Sequence, residues 1–239
     1  MAKMTLDDLV TQLRAAFAGE LKAVVLYGSA AAGEHNPKTS DYNVLVLVDS
    51  LAADRLRAAS AVAHAWNDAG HPAPLTLTTE EWRESSDIFP MEYADILERH
   101  KVLFGELPTN VRVEMGNLRL QLEREAMGAL LQLRRGALAA GSDGKAGIEL
   151  MEKSASTVMV ILRAVARLGG KVPPRDNVEL CRQLATLGGF DTSAWEQVVR
   201  HKRGESKIKA SDASPVLASY LAAMQKLVQY LDTYSTKHP

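Results

Sequence analysis

The sequence predicts an α+β protein, with a first part that combines short strands and helices and a second part that is helical. In the first part, β-branched apolar runs alternate with helical stretches, whereas apolar residues in the second part recur every three or four positions. Gly, Pro and Asn cluster between Gly105 and Asn110, where a break in regular structure is expected. We therefore predict two domains, residues 1–108 and residues 109–239.

The first domain is predicted to begin with a helix and to contain at least three strands. Thr5 suits the N-cap of the opening helix, because Asp7 and Asp8 place negative charge in its first turn. The strands are expected at 23–27, 41–48 and 74–78, and a helix at 52–69. Another helix is expected to begin near Thr79, and the stretch 89–104 fits either a helix or a strand.

The second domain is predicted to be an all-α helical bundle. Its apolar residues repeat at helical spacing in five segments that are joined by short links, which is typical of such bundles. The helices are expected at 111–137, 148–165, 177–187, 192–202 and 216–231.

Composition and charge narrow the classes of function. The 239 residues are 46% hydrophobic and 24% charged, as in globular proteins. No apolar run reaches the roughly 18 residues that a membrane helix needs, and the single cysteine, Cys181, excludes an internal disulfide. We expect a cytoplasmic protein with no membrane partner. Residues 1–110 carry 9 Lys and Arg against 16 Asp and Glu, and residues 111–239 carry 19 against 13, so the second domain is basic.

One segment of the first domain carries a pattern suited to nucleotide chemistry. Leu26-Tyr27 closes the first strand, Gly28-Ser29 follows it, and Asp41-Tyr42-Asn43 opens the second strand after eleven intervening residues. A glycine lets backbone N–H groups approach a phosphate, and a serine adds a hydroxyl donor. Polar side chains at positions i and i+2 of a strand lie on one face, where they can hold a divalent cation.

This segment resembles the signature of the DNA polymerase β-type nucleotidyltransferase superfamily, and in particular its bacterial aminoglycoside nucleotidyltransferase-like branch. The resemblance implies an N-terminal nucleotidyltransferase-like mixed-sheet domain followed by a helical bundle. It also implies transfer of a nucleoside monophosphate from an NTP to a hydroxyl acceptor. In that scheme Gly28 and Ser29 bind the nucleotide phosphates, whereas Asp41 and Asn43 are the catalytic positions that hold Mg²⁺. The acceptor would lie between the two domains.

The sequence also departs from the family pattern in its acidic residues. Position 43 is Asn where the family has an acid, and the third strand has Leu75 and Thr76 where a third carboxylate is expected. Only Asp41 remains, so we expect weak or absent Mg²⁺ binding and impaired catalysis, with a degenerate active site. Four acids could replace the missing carboxylate from elsewhere in the chain: Glu80, Glu81, Asp87 and Glu92.

Alternatives to an active enzyme remain open at this point. The first is a non-catalytic nucleotide-binding or regulatory protein, in which the Gly28-Ser29 turn still binds phosphate. The second is an interaction module whose helical bundle binds a protein or RNA, although basic clusters alone are unspecific and nucleic acid is not the expected partner. Gly28-Ser29 could also be a simple strand-ending turn, and Asp41 an acid at the strand edge. The oligomeric state is open, a homo-oligomer included.

Overall fold

The computed structural model describes residues 3–28, 30–31, 41–189 and 191–237. The chain divides into two compact units, Met1–Glu114 and Met115–Pro239. In the described part, the first unit contains four helices and four strands, and the second unit contains five helices. The bounds in the first unit are α1 Leu6–Phe17, β1 Leu21–Tyr27, β2 Asn43–Val48, α2 Ala53–Asp68, β3 Leu75–Thr78, α3 Thr79–Glu84, α4 Pro90–Glu98 and β4 His100–Gly105. Those in the second unit are α5 Met115–Ala140, α6 Gly144–Leu168, α7 Asn177–Gly188, α8 Ser193–Lys202 and α9 Ala213–Lys237.

The first unit is built on one mixed sheet with the strand order β3-β2-β1-β4. Strand β1 pairs antiparallel with both β2 and β4, and β3 pairs parallel with β2. Helices cover both faces. Leu13 of α1 and Trp66 of α2 pack on one face. Trp82 of α3 and Ile96 of α4 pack on the other. The central strands β1 and β2 are therefore buried on both sides, which explains why they appear in the sequence as continuous apolar runs.

Local capping explains where two helices of the first unit, α1 and α3, begin. The Thr5 hydroxyl accepts a hydrogen bond from the Asp8 amide, and the Asp8 carboxylate accepts one from the Thr5 amide in return. Thr78 and Glu81 form the same reciprocal capping box at the start of α3. The Thr5 prediction is confirmed. The ambiguous stretch 89–104 resolves into both elements, because α4 ends at Glu98 and β4 begins at His100.

The second unit is all-α over its described residues, as predicted. Helices α5, α6 and α9 pack together, and α7 and α8 pack against them. The core includes the Trp195 and Tyr220 rings, which meet edge to face at 6.4 Å, and the Tyr220 hydroxyl lies 3.1 Å from the Ser154 hydroxyl. The predicted class, a mixed-sheet unit followed by a helical region, is confirmed. None of the described helices is long and apolar enough to span a membrane.

The boundary expected after residue 108 lies inside the segment 106–114, which contains no helix or strand. This segment packs with the first unit. Val111 and Val113 contact the sheet face that Trp82 covers. The Trp82 indole N–H also donates a hydrogen bond to the Pro108 carbonyl at 2.9 Å. The first helix of the second unit consequently begins at Met115 rather than at the predicted Val111.

Candidate functional site

The sheet register brings two of the sequence-predicted positions to the same edge of the first unit. Tyr27, the last residue of β1, pairs with Asn43, the first residue of β2. Gly28 follows with φ +75°, a conformation that favours glycine. A Cβ built on Gly28 would lie 3.5 Å from the Asn43 amide nitrogen, Nδ2. The turn after β1 and the start of β2 are therefore neighbours. Ser29, the fourth predicted site residue, lies outside the described residues, as do residues 32–40.

Asp41 lies near the same edge, and its negative charge affects the pKa of the Tyr27 side chain. Burial raises the pKa of the Tyr27 phenol. The negative charges of Glu92, Asp95 and Asp41 raise that pKa further, so all three carboxylates act electrostatically on the phenolic oxygen. Tyr27 packs with the second sheet face, the one covered by α3 and α4. Its phenol consequently stays protonated at neutral pH and faces an anionic surrounding.

Strand β3 does not bring a carboxylate to this edge. Leu75 pairs with Leu45 in the parallel β2–β3 register, so it lies on the same sheet face as Asn43 and Tyr27. Thr76 points to the opposite face, where it lines a cavity together with Leu13 and Phe17 of α1. Of the two positions considered from sequence, Leu75 is the one on the same sheet face as Asn43.

The four acids that were considered as replacements for the missing carboxylate have different surroundings in the structure. Glu81 is engaged in the capping box of α3 with Thr78. Glu80 is exposed in the first turn of the same helix, and the charge of Asp87 acts on Tyr93. Glu92 alone among them shares an electrostatic neighbour with Asp41, namely Tyr27. Asp95, one helical turn further along α4, was missed from sequence, since the stretch around it fits both a helix and a strand.

An aromatic cluster at the start of β2 was also missed from sequence. The Tyr42 backbone N–H donates to the His71 Nδ1 at 3.2 Å. The His71 ring lies 4.3 Å from the Trp66 ring and 4.8 Å from the Tyr42 ring, measured between centroids. Because Nδ1 accepts a hydrogen bond, the neutral ring carries its proton on Nε2. This contact fixes the backbone between Asp41 and Asn43. Its sequence signal, a lone histidine after a glycine, is too unspecific to be found in advance.

The donor set at the edge fits a divalent cation only in part. No group of three His, Cys, Asp or Glu side chains placed to hold an ion occurs among the described residues. Asp41 supplies one carboxylate and Asn43 one amide, and Mg²⁺ in such a setting needs further oxygens from nucleotide phosphates. With those phosphates present, Asp41 would hold the ion, and the ion would neutralise charge on the phosphate oxygens.

Comparison with known proteins supports the fold of the whole chain. The chain matches no known family model and no curated protein. Among solved structures it is similar to the spectinomycin adenyltransferase AAD(9) from Enterococcus faecialis, whose structure contains ATP and spectinomycin. The TM-score is 0.63 at 11% sequence identity, and the match covers 95% of this chain and 98% of that chain. The fold is nucleotidyltransferase-like.

Proposed function

We propose that the first unit binds a nucleoside triphosphate at the edge where β1 ends and β2 begins, and that it transfers the nucleoside monophosphate to a hydroxyl acceptor only slowly. The observation that carries this proposal is the Tyr27–Asn43 register, because it places the Gly28 turn beside the polar start of β2. A neighbour of the same fold was solved with ATP and spectinomycin. We propose that this chain likewise binds a nucleotide and a small-molecule acceptor.

The phosphates are proposed to lie against the Gly28-Ser29 turn. A left-handed glycine exposes backbone N–H groups that can donate to phosphate oxygens, with no side chain in the way. The Asn43 amide nitrogen lies beside this turn, 3.5 Å from a Cβ built on Gly28. An acid at this position would repel a phosphate unless a cation lay between them, whereas an amide can donate to it directly. Nucleotide binding in this protein is therefore proposed to depend little on a metal ion.

The slow transfer follows from the charge of the site. Leu75 pairs with Leu45 and lies on the same sheet face as Asn43, and it brings no carboxylate to hold a second ion or to accept the proton of the attacking hydroxyl. A general base typically contributes about 10²–10⁴-fold in rate. Glu92 and Asp95 act on Tyr27 from α4, but with Asp41 they do not form a group that could hold an ion. The acceptor and the base preference of the nucleotide stay open.

Calorimetry with ATP and GTP, with and without Mg²⁺ or Mn²⁺, tests the proposal. The natural protein is expected to bind a triphosphate with little dependence on metal. The double variant Asn43→Asp/Leu75→Asp should acquire a metal dependence of at least about tenfold in affinity, equivalent to about 1.4 kcal/mol. Release of pyrophosphate in the presence of hydroxyl compounds should rise only in that variant.

The matched control is Asn43→Asp/Thr76→Asp, which adds the same charges but places one of them on the opposite sheet face. It should not show the metal dependence of the Leu75 variant. Absence of triphosphate binding in every metal condition would refute nucleotide binding. A strong metal dependence of the natural protein, with rapid pyrophosphate release, would refute the impaired site. Binding without any turnover would favour the non-catalytic alternative.

A further inference from the structure

Helix α5 carries a line of exposed apolar side chains on its outer surface. Four residues form this stripe, with exposed fractions of 58% at Leu120, 40% at Met127, 45% at Leu131 and 84% at Leu138. At about 100° per residue, all four fall within an arc of about 40° around the helix. The stripe is about 27 Å long, since a helix rises about 1.5 Å per residue. Single exposed apolar residues are ordinary, but four in line are typical of a contact surface.

The stripe is distinct from the face that α5 buries in the helical unit. That buried face is formed by residues such as Leu118, Leu122 and Leu133, which are at most 1% exposed. The stripe residues follow one another at intervals of seven, four and seven positions. This spacing repeats the 3.5-residue period with which two helices pack side by side along a seam. The geometry therefore fits a second helix laid along α5.

The stripe is symmetric about the level of residue 129. Leu120 and Leu138 lie nine positions on either side of it, and Met127 and Leu131 lie two positions on either side. A two-fold contact between identical chains requires that residue i meet residue j while j meets i. Two antiparallel copies of α5 centred at this level satisfy that requirement. Leu120 then meets Leu138 of the second copy, and Met127 meets Leu131.

We propose that the stripe is the contact surface between two copies of this chain, packed antiparallel through α5 about a two-fold axis at the level of residue 129. Antiparallel helices also place opposite ends of their dipoles together. The symmetric register, rather than the apolar surface alone, favours a second copy over another partner. The proposal is independent of the nucleotide site.

Charged residues beside the stripe strengthen the contact at one pair of positions and weaken it at another. In the antiparallel register Glu123 lies on the same side of the seam as Arg134 of the second copy, which is favourable, and Arg124 lies on the same side as Arg135 of the second copy, which is not. Within one chain, Arg124 already pairs with Glu125 at 3.3 Å, which offsets part of its charge. We therefore expect a reversible dimer rather than a permanent one. The substitution Arg135→Glu should strengthen it, because it creates an opposite-charge pair with Arg124 twice in each dimer.

Analytical ultracentrifugation of the full chain over a wide range of concentration tests the contact. The natural protein should show a monomer–dimer equilibrium, Leu131→Glu should weaken it at least about tenfold, and Arg135→Glu should tighten it. Val172→Glu is the matched control, because Val172 is 78% exposed and lies outside α5; it should leave the equilibrium unchanged. A natural protein that stays monomeric at every concentration would overturn the proposal. So would an equilibrium that Leu131→Glu and Val172→Glu affect equally.

Disulfide trapping tests the antiparallel register. The only natural cysteine, Cys181, is buried, so the background is low. The double variant Leu120→Cys/Leu138→Cys should form a covalent dimer on mild oxidation. Each single variant should not, because two copies of residue 120 lie about 27 Å apart along the antiparallel pair. Cross-linking by the single variants would indicate a parallel pair and contradict the register, as would a double variant that stays uncross-linked.

Discussion

Two glycines with similar backbone angles should respond very differently to alanine. Gly28 has φ +75° and Gly105 has φ +69°, so each substitution pays a similar conformational strain of about 1–2 kcal/mol. The added methyl groups meet different surroundings. At Gly28 the Cβ would lie 3.5 Å from Asn43, an ordinary contact. At Gly105 it would lie 1.7 Å from the Lys22 carbonyl oxygen, which real structures do not tolerate.

The Gly105→Ala change must therefore separate β4 from β1, where Gly105 pairs with Ala23. Overpacking typically costs about 1–3 kcal/mol, and each lost strand hydrogen bond adds about 1 kcal/mol. We expect Gly105→Ala to lower the free energy of unfolding of the first unit by about 3–6 kcal/mol in total, strain included. Gly28→Ala should lower it by only the strain of about 1–2 kcal/mol.

Urea unfolding followed by tryptophan fluorescence measures this difference. The chain has three tryptophans. A Trp195→Phe background leaves Trp66 and Trp82, both in the first unit, as reporters. Gly70→Ala is the control for strain alone, since Gly70 has φ +97° and no heavy atom lies within 4 Å of its built Cβ. If Gly28→Ala destabilises as strongly as Gly105→Ala, the turn after β1 is too crowded for a phosphate to approach its backbone.

Two further predictions concern pH. Burial raises the pKa of the Tyr220 phenol from 10.0 to about 12 and that of the Cys181 thiol from 9.0 to about 12. The folded chain thus keeps protons that the unfolded chain releases, and the free energy of unfolding should fall as pH rises from about 9 towards 12. Urea titrations at several pH values should show a shallower fall for Tyr220→Phe, and an unchanged slope would contradict the assignment. Burial opposes ionisation of Asp176, but hydrogen bonds from the Glu179 amide and from Arg203 outweigh it and hold the pKa of Asp176 below 3.8. That stabilisation should be present above pH 3.8 and be lost as pH falls through the lowered pKa. Asp176→Asn should remove this dependence, and Asp176→Ala should cost about 1 kcal/mol more through the lost N-cap of α7, a difference that thermal unfolding can measure.

Much of the fold could be predicted because its signals are local. Thr5 and Asp8 lie three residues apart, and a capping box needs no information from the rest of the chain. The strands β1 and β2 are buried on both faces, so they appear in the sequence as continuous apolar runs. The stretch 89–104 could not be resolved in the same way. It holds a short helix directly followed by a strand, and each is too brief to establish a period.

The candidate site was harder to predict, because its geometry depends on how separate segments of the chain pack together. The Gly28 and Asn43 positions could be predicted to meet because they follow and open adjacent strands. Which of Leu75 and Thr76 faces them depends on the register of β3, and a shift of one residue reverses the answer. The effects of Glu92 and Asp95 on Tyr27 arise from the placement of α4 over the sheet, which no sequence spacing contains.

The segment 106–114 has a consequence for how the chain can be divided. Val111, Val113 and the Pro108 carbonyl complete the layer over Trp82, although they follow the last strand of the sheet. A fragment cut at the Gly- and Pro-rich stretch would therefore lose part of its own interior, whereas one ending at Glu114 would retain it. Any recombination that exchanges the helical half for another must leave these nine positions attached to the sheet.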